Sequence, residues 1–223
     1  MLMRTAPDNA CERVFWSDPY RTRLHTRINT VEGNRVTLQR TIFFAFSGGQ
    51  ESDCGTIGGE HVLDARKDGH EIIYTLPDDH SLRVGQGVEV SIDWARRYRL
   101  MRLHLAAEIV LELVYRELDA IDKIGAHIGV DKARMDFARD GNIAAALPQI
   151  HAQATQLAEA DQEIVSAFSD ESAQRRYWQI HGFARVACGG THLRRAGEIG
   201  ALDLRRKNPG KGKERVEIAL RHP

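Results

Sequence analysis

The first 92 residues are organised in short runs of alternating or β-rich residues that turn signals separate. The runs cover residues 24–30, 35–39, 41–46, 56–63, 71–76 and 88–92. Glu32-Gly-Asn34 and Lys67-Asp-Gly69 lie between consecutive runs and are typical of hairpin connections. Several short strands at this spacing favour a small β-barrel. The pattern therefore predicts a β-barrel domain with a glycine loop over residues 1–92.

The pattern changes to a helical one after residue 92. Residues 93–114 contain no Gly or Pro and are rich in Leu, Ala and Glu, and Ser91 and Asp93 can cap the start of a helix. From Leu103 to Val114 few positions are polar, so we expect this helix to be buried on most sides.

Helices and strands are mixed in the rest of the chain. The pattern predicts an amphipathic helix over residues 148–168, a strand over 183–187, and a hairpin of 199–206 with 214–220 around Asn208-Pro-Gly210. The predicted fold class is α+β, with the barrel domain at residues 1–92 and an α+β domain at residues 93–223. No internal repeat or low-complexity segment is evident.

Composition places the chain among ordinary globular proteins. Three cysteines in 223 residues give no disulfide framework, which favours a reducing compartment. The first residues lack the apolar core of a secretory leader, and no run reaches the roughly 18 apolar residues that span a bilayer. We therefore expect a cytoplasmic protein with no membrane partner.

The net charge is zero, with 31 basic and 31 acidic residues, so attraction to a polyanion must be local. Two stretches of the chain concentrate cations. They are Arg96, Arg97, Arg99 and Arg102 at the start of the long helix, and Arg194, Arg195, Arg205, Arg206, Lys207, Lys211, Lys213 and Arg215 near the end. Clustered Lys and Arg neutralise phosphates and give salt-sensitive RNA binding. A merely solvated surface is the alternative that the residues leave open.

A candidate metal site follows from two local spacings. Cys188-Gly-Gly-Thr-His192 places a thiol and an imidazole on either side of glycines that let the backbone turn tightly. His104 and Glu108 are four residues apart on the long helix and share one face. These ligand types predict one zinc ion, which can polarise an ester carbonyl or activate water. A His104–Glu108 ion pair without metal is the simpler alternative.

Longer segments around these residues resemble a known family. Asp93-Trp-Ala-Arg-Arg-Tyr98 through His104, residues 125–137 and residues 188–200 are similar to the editing domain of alanyl-tRNA synthetase. Thr41-Ile-Phe-Phe44, followed by Ser47-Gly-Gly-Gln50, is similar to the strand and glycine loop of the same proteins. The resemblance runs from about residue 14 to about residue 220 and leaves no room for a synthetase catalytic domain. We therefore expect a free-standing editing protein of the AlaX type.

The resemblance implies an activity and a set of site residues. Members of the family use a metal site to hydrolyse the ester of tRNA(Ala) wrongly charged with serine or glycine, so the acceptor end of tRNA(Ala) is the expected partner. The family's threonine that matches Thr41 reads the serine hydroxyl, and we expect Gln50 to hydrogen-bond the substrate. Both residues are therefore predicted in the catalytic site, beside a zinc ion held by His104, Cys188 and His192 together with Glu108.

The sequence departs from the family pattern at two places, and both concern the predicted site. The family's helix carries His-x-x-x-His, whereas Glu108 stands at the second position here, and a carboxylate lowers the net charge and the Lewis acidity of the metal. The glycine loop reads Ala45-Phe-Ser-Gly-Gly-Gln50 in place of Pro-Glu-Gly-Gly-Gly-Gln. A bulkier entrance is expected to change which acyl group fits.

The sequence thus predicts ATP-independent, metal-assisted hydrolysis of an aminoacyl ester on the 3′-terminal ribose of tRNA. Ser-tRNA(Ala) is the first expected substrate and Gly-tRNA(Ala) the second. Two alternatives stay open: a metal-dependent hydrolase of another aminoacyl or small acyl ester, which Glu108 and the altered loop favour, and a noncatalytic tRNA-binding module.

Overall fold

The computed structural model describes residues 11–119 and 121–221, which form a mixed α/β structure rich in strands. The helices of these residues are α1 Val14–Ser17, α2 Trp94–Glu117 and α3 Leu147–Glu159, with short 3-10 helices at Ile143–Ala145 and Ala196–Ile199. The strands up to residue 92 are β1 Glu12–Arg13, β2 Arg23–Glu32, β3 Arg35–Leu38, β4 Arg40–Thr41, β5 Gly55–Ile57, β6 Glu60–His61, β7 Asp64–Asp68, β8 Glu71–Thr75 and β9 Gly87–Ile92. The later strands are β10 Asp122–Ile128, β11 Ala133–Ala138, β12 Ile164–Asp170, β13 Arg175–Ile180, β14 Ala184–Ala187, β15 Leu202–Gly210 and β16 Lys213–Leu220.

The chain forms two compact units. The first unit comprises residues 11–47 and 52–98, and the second comprises Gly48–Glu51 together with the described residues from Arg99 onward. Helix α2 therefore contributes its first residues to one unit and the remainder to the other. The four-residue segment Gly48–Glu51 belongs to the second unit although both of its flanks belong to the first. The predicted division after residue 92 stays a prediction.

One seven-stranded sheet makes up most of the first unit, in the order β6-β5-β9-β2-β3-β8-β7. Along β2, Leu24 and Ile28 are buried while their neighbours Arg23 and His25 are exposed, which is the period-two pattern of a sheet with one face on the core. The described pairings leave β6 and β7 as edges. The sheet is a curled half-barrel, and the complete barrel that the spacing predicts is not confirmed.

The predicted strand over residues 41–46 is wrong beyond its first residue. Only Thr41 belongs to a strand, β4, and Ile42–Ala45 are buried without strand pairing. The backbone N–H of Phe43 donates to the Thr41 hydroxyl at 3.0 Å, and that of Phe44 donates to the Asp53 carboxylate at 2.6 Å. Side chains thus satisfy the backbone groups that a neighbouring strand would otherwise bind.

The predicted strand over residues 56–63 is two strands, β5 and β6, with a turn between them. Gly58 and Gly59 form this turn with φ angles of 60° and 91°, a conformation that glycine adopts without strain. A two-residue turn of this kind reverses the chain into a hairpin, in which Ile57 pairs with Glu60.

Two antiparallel sheets and most of α2 form the second unit. The larger sheet has the order β10-β11-β16-β15, and the smaller has the order β12-β13-β14. The predicted burial of α2 is confirmed, since its Leu103, Leu105 and Val110 are completely buried. No helix in the described parts of the chain combines the length and the apolarity needed to cross a membrane.

Two further predictions are corrected in the second unit. The helix expected over residues 148–168 ends at Glu159, because Asp161 adopts a φ of 44°, and residues 164–170 form β12 instead. The carboxyl-terminal hairpin is confirmed, but its first strand begins at Leu202 and its turn lies at Lys211-Gly212. The segment Asn208-Pro-Gly210 is a register irregularity within β15, not the turn.

Candidate metal centre

Two of the four candidate ligands come from consecutive turns of α2. His104 and Glu108 share one face of the helix, and Nε2 of His104 lies 3.3 Å from Oε1 of Glu108. The side chains are 5% and 17% exposed, so both groups are largely removed from water. A buried carboxylate beside a buried imidazole requires further partners.

The other two ligand side chains come from the loop that follows β14. The N–H of Cys188 donates to the Arg176 carbonyl at 2.9 Å and so continues the β13–β14 pairing by one residue. The N–H of Gly190 donates to Sγ of Cys188 at 3.4 Å. A Cβ at position 190 would lie 2.3 Å from Cε1 of His104. Only glycine at position 190 therefore lets this loop approach the helix, whereas a Cβ at position 189 would meet no atom within 4 Å.

The four predicted ligands converge on one point. Their ligand atoms all lie within 4.8 Å of one another. Sγ of Cys188 is 3.3 Å from Nε2 of His104, and Nε2 of His192 is 3.5 Å from Oε2 of Glu108. Zinc bonds of about 2.0–2.3 Å in tetrahedral geometry place ligand atoms roughly 3.3–3.8 Å apart. The donor set and its spacing fit a zinc ion.

Two buried atoms of this set have no hydrogen-bond partner among the described residues. They are Oε2 of Glu108 and Nε2 of His192, which face each other. An unsatisfied buried polar atom costs roughly 1–3 kcal/mol, and more when it is charged. A cation between these two atoms removes that cost, whereas the simple His104–Glu108 ion pair leaves His192 unexplained.

Mutual attraction dominates the electrostatics of the cluster. Burial opposes the charged form of His104, but the carboxylate of Glu108 and the thiolate of Cys188 outweigh it and raise the pKa of His104 well above its usual range. Burial likewise opposes ionisation of Glu108, yet His104 and then His192 hold its pKa far below the usual range. Burial raises the pKa of the Cys188 thiol, and His104 reverses this effect and lowers it to about 7.

Each imidazole has a second partner on its outward nitrogen. Nδ1 of His104 contacts Oε1 of Gln50, and Nε2 of Gln50 donates to the Thr191 hydroxyl at 3.0 Å. Nδ1 of His192 lies 3.3 Å from the hydroxyl of Ser166 on β12. Sequence reasoning found Gln50 but assigned it to the substrate, and it missed Thr191 and Ser166. Thr191 could have been found from the sequence, because it lies between the predicted ligands Cys188 and His192. Ser166 has no such local signal.

Curated proteins match the chain over nearly all of its length. The alanyl-tRNA editing protein AlaX-M of Pyrococcus horikoshii is 33% identical over 217 residues, which cover 95% of this chain and 99% of that protein. The AlaX-M of Saccharolobus solfataricus is 31% identical over 236 residues, which cover 94% and 99% respectively. The chain belongs to the AlaX-M family. The family named from the sequence motifs is therefore confirmed.

The AlaX-M family shares this region with a larger protein. The alanine–tRNA ligase of Ignicoccus hospitalis is 32% identical over 222 residues, which cover 86% of this chain but 24% of the ligase. No family model matches the chain.

Thr41 lies in the first unit, where it is fully buried. Its hydroxyl is 2.7 Å from the Tyr74 hydroxyl and accepts from the N–H of Phe43 at 3.0 Å. A substrate hydroxyl at this position would compete with Tyr74 for the same oxygen. The role of Thr41 in reading serine, which the resemblance to the AlaX-M family implied, stays a prediction.

The arginines at the start of α2 do not form an exposed cationic surface. Arg97 is completely buried and paired with Asp53, while Arg96 and Arg99 donate to the carbonyls of Ser52 and Val130. The six cations of the β15–β16 hairpin divide into two groups. Arg206 and Arg215 pair with Glu214 and Asp136, whereas Arg205, Lys207, Lys211 and Lys213 are exposed.

Proposed function

We propose that this AlaX-M family member hydrolyses the ester of mischarged tRNA(Ala), with Ser-tRNA(Ala) as its first substrate and Gly-tRNA(Ala) as its second. The observation that carries the proposal is the convergence of His104, Glu108, Cys188 and His192 on one point, in a chain of which 95% matches an alanyl-tRNA editing protein. Hydrolysis at such a site needs no nucleotide, and it takes place where tRNA is charged, in the cytoplasm.

The four side chains hold the zinc ion in this proposal. When bound, zinc polarises an ester carbonyl or lowers the pKa of water. The thiolate of Cys188 and the carboxylate of Glu108 together balance the two positive charges of zinc. A neutral imidazole in place of Glu108 would leave one positive charge, so Glu108 reduces the electrophilic strength of the centre. An aminoacyl ester is already activated, and a weaker Lewis acid suffices for it.

The exposed cations of the carboxyl-terminal hairpin bind the phosphates of the acceptor end. Arg205, Lys207 and Lys213 lie along β15 and β16, and Lys211 lies in the turn between them. Arg206 and Arg215 take no direct part, since carboxylates already neutralise them. Arg194 and Arg195 are also exposed but lie outside the hairpin, so the proposal assigns the phosphate contacts to four of the eight cations that the sequence suggested. It predicts a binding affinity that falls with salt.

The decisive experiment is a deacylation assay with Ser-, Gly- and Ala-tRNA(Ala), run on protein of measured metal content. Selective loss of serine or glycine from tRNA(Ala), dependent on the metal, supports the proposal. Rapid cleavage of simple acyl esters with intact Ser-tRNA(Ala) would instead indicate the other hydrolase, which the carboxylate at position 108 favours. Binding of tRNA without any cleavage would indicate the noncatalytic module.

A further inference from the structure

Both imidazoles at the metal centre present the same nitrogen to the other ligands. Nε2 of His104 lies 3.3 Å from Cys188 Sγ and 3.3 Å from Glu108 Oε1, and Nε2 of His192 lies 3.5 Å from Glu108 Oε2. A neutral imidazole binds a metal through the nitrogen that carries no proton. Both rings must therefore keep their proton on Nδ1, the nitrogen that faces away from the centre.

Gln50 supplies an acceptor for that proton at His104. Its Oε1 contacts Nδ1 of His104, while its Nε2 donates to the Thr191 hydroxyl at 3.0 Å. The side chain is completely buried. Because Nε2 of Gln50 donates to Thr191, the amide presents its carbonyl oxygen to the ring, and only the tautomer with hydrogen on Nδ1 can donate to it.

The backbone of the glycine loop fixes Gln50 at this place. Gly49 accepts from the N–H of Ile128 at 2.8 Å, and the N–H of Glu51 donates to the carbonyl of Ile128 at 3.0 Å. Gly49 has a φ of 87°, and a Cβ there would lie 2.7 Å from the Ala126 carbonyl oxygen. The loop is thus bound to the end of β10 on both sides of Gln50, and glycine is required for so close an approach.

The Nδ1 atom of His192 has a different partner from the Nδ1 atom of His104. Its Nδ1 faces the hydroxyl of Ser166 at 3.3 Å, a longer contact to a group that can either donate or accept. Ser166 is an exposed residue, unlike the buried Gln50. The hydroxyl therefore selects the tautomer of His192 less strictly than the amide selects that of His104.

We propose that Gln50 is a positioning residue of the metal centre: it holds His104 in the tautomer that directs an unprotonated Nε2 at the metal, and in this way sets the affinity for zinc. The inference rests on the metal centre of the proposed function and is independent of which ester is cleaved. In this proposal Gln50 acts by orienting the metal ligand His104 and not by binding the substrate.

The test compares zinc affinity in full-length variants by competition with a chromophoric chelator. Gln50→Leu removes the acceptor, and we expect zinc affinity to fall by about 10- to 100-fold, as for other outer partners of histidine ligands. Gln50→Glu keeps an oxygen facing Nδ1 and should bind zinc at least as tightly as the unmodified protein. Ser166→Ala should lower the affinity less than Gln50→Leu does.

A nuclear magnetic resonance measurement separates positioning from damage to the fold. In zinc-loaded protein labelled with 15N, His104 should show a slowly exchanging Nδ1 proton and a metal-bound Nε2, and Gln50→Leu should lose the protection of that proton. Unchanged zinc affinity in Gln50→Leu, or an equal loss in Gln50→Glu, would overturn the proposal. Absence of deacylase activity in the unmodified protein would refute the proposed function and leave this comparison intact.

Discussion

Each unit contains a buried cluster of charged side chains, and the two clusters differ in how fully the protein satisfies them. In the first unit, the buried Arg97 donates to both carboxylate oxygens of Asp53 and to the carbonyls of Pro19 and Ile42. The same carboxylate accepts from the N–H of Phe44. Every charge in this cluster has a partner, so it joins segments of the chain and needs no ligand.

The cluster in the second unit is incomplete by comparison. Oε2 of Glu108 and Nε2 of His192 are buried without hydrogen-bond partners among the described residues, and they point at the space that Cys188 and His104 also face. The difference teaches that burial of charged side chains does not by itself identify a functional site. A site is identified when buried imidazole, carboxylate and thiol groups converge on one point and some of their polar atoms lack hydrogen-bond partners.

The largest expected effect concerns the incomplete cluster. Cys188→Ala removes the soft, charged ligand, so zinc content should fall from about one ion per chain to near zero, and deacylation should fall with it. Metal analysis of purified protein checks this. Cys54→Ala, which changes an exposed cysteine of the first unit, is the matched control and should keep both. Full zinc content in Cys188→Ala would show that Cys188 is not a zinc ligand.

Substitutions in the Arg97–Asp53 cluster should lower the stability of the protein and leave its metal content unchanged. Arg97→Met leaves Asp53 buried and unpaired, which typically costs about 3–5 kcal/mol. Denaturant unfolding should show this loss. The double variant Arg97→Met/Asp53→Leu should recover part of it, because no uncompensated charge remains. Equal stability of Arg97→Met and the unmodified protein would contradict a structural role for the pair.

The metal centre should also bind zinc in a pH-dependent way. In metal-free protein the raised pKa of His104 and the value of about 7 for Cys188 mean that both hold protons at pH 6, and zinc must displace them. Zinc affinity should therefore rise by more than about 100-fold from pH 6 to pH 8, with a smaller slope once the thiol has ionised. Chelator competition across this range measures the effect, and a flat profile would contradict it.

Substitution of Thr41 tests whether a hydroxyl of the first unit that already has hydrogen-bond partners also has a functional role. If it reads serine, Thr41→Val should lower hydrolysis of Ser-tRNA(Ala) by roughly 10- to 100-fold, the equivalent of about 1–3 kcal/mol, and affect Ala-tRNA(Ala) little. Tyr74→Phe removes the hydroxyl that competes for the Thr41 oxygen, so it should not lower the preference for Ser-tRNA(Ala). If Thr41→Val retains the original ratio, Thr41 is structural like Arg97, and selectivity lies elsewhere.

The smallest expected effect concerns the exposed cations. Lys211→Ala/Lys213→Ala should weaken tRNA binding by roughly tenfold and reduce the slope of log affinity against log salt by about 1.5–2. Hydrolysis of a minimal aminoacyl-adenosine ester should stay constant. Lys67→Ala, an exposed lysine of the first unit, is the control for a general change in charge. Equal losses on tRNA and on the minimal ester would indicate damage to the site.

The sequence pattern was sufficient to predict those elements whose structure is determined by residues close together along the chain. The absence of Gly and Pro after Asp93 predicted α2, and the helical repeat placed His104 and Glu108 on one face. Turn residues predicted the β2–β3 hairpin and a hairpin connection at Gly69, although the strand β7 that precedes this connection was not predicted. Pattern failed at residues 164–170, where a strand of the small sheet follows a helix and its residues are apolar enough to continue either element.

The sequence by itself determined the ligand types of the metal centre and their two local spacings. Only the tertiary structure decided that His104 and Cys188, 84 residues apart, meet at one point, and that Gln50 reaches His104 across 54 residues. It also decided that Arg97 is a buried ion-pair partner while Lys213 stays at the surface. The physical reason is that spacing fixes only which side chains share a face, whereas packing over long sequence separations fixes what that face meets.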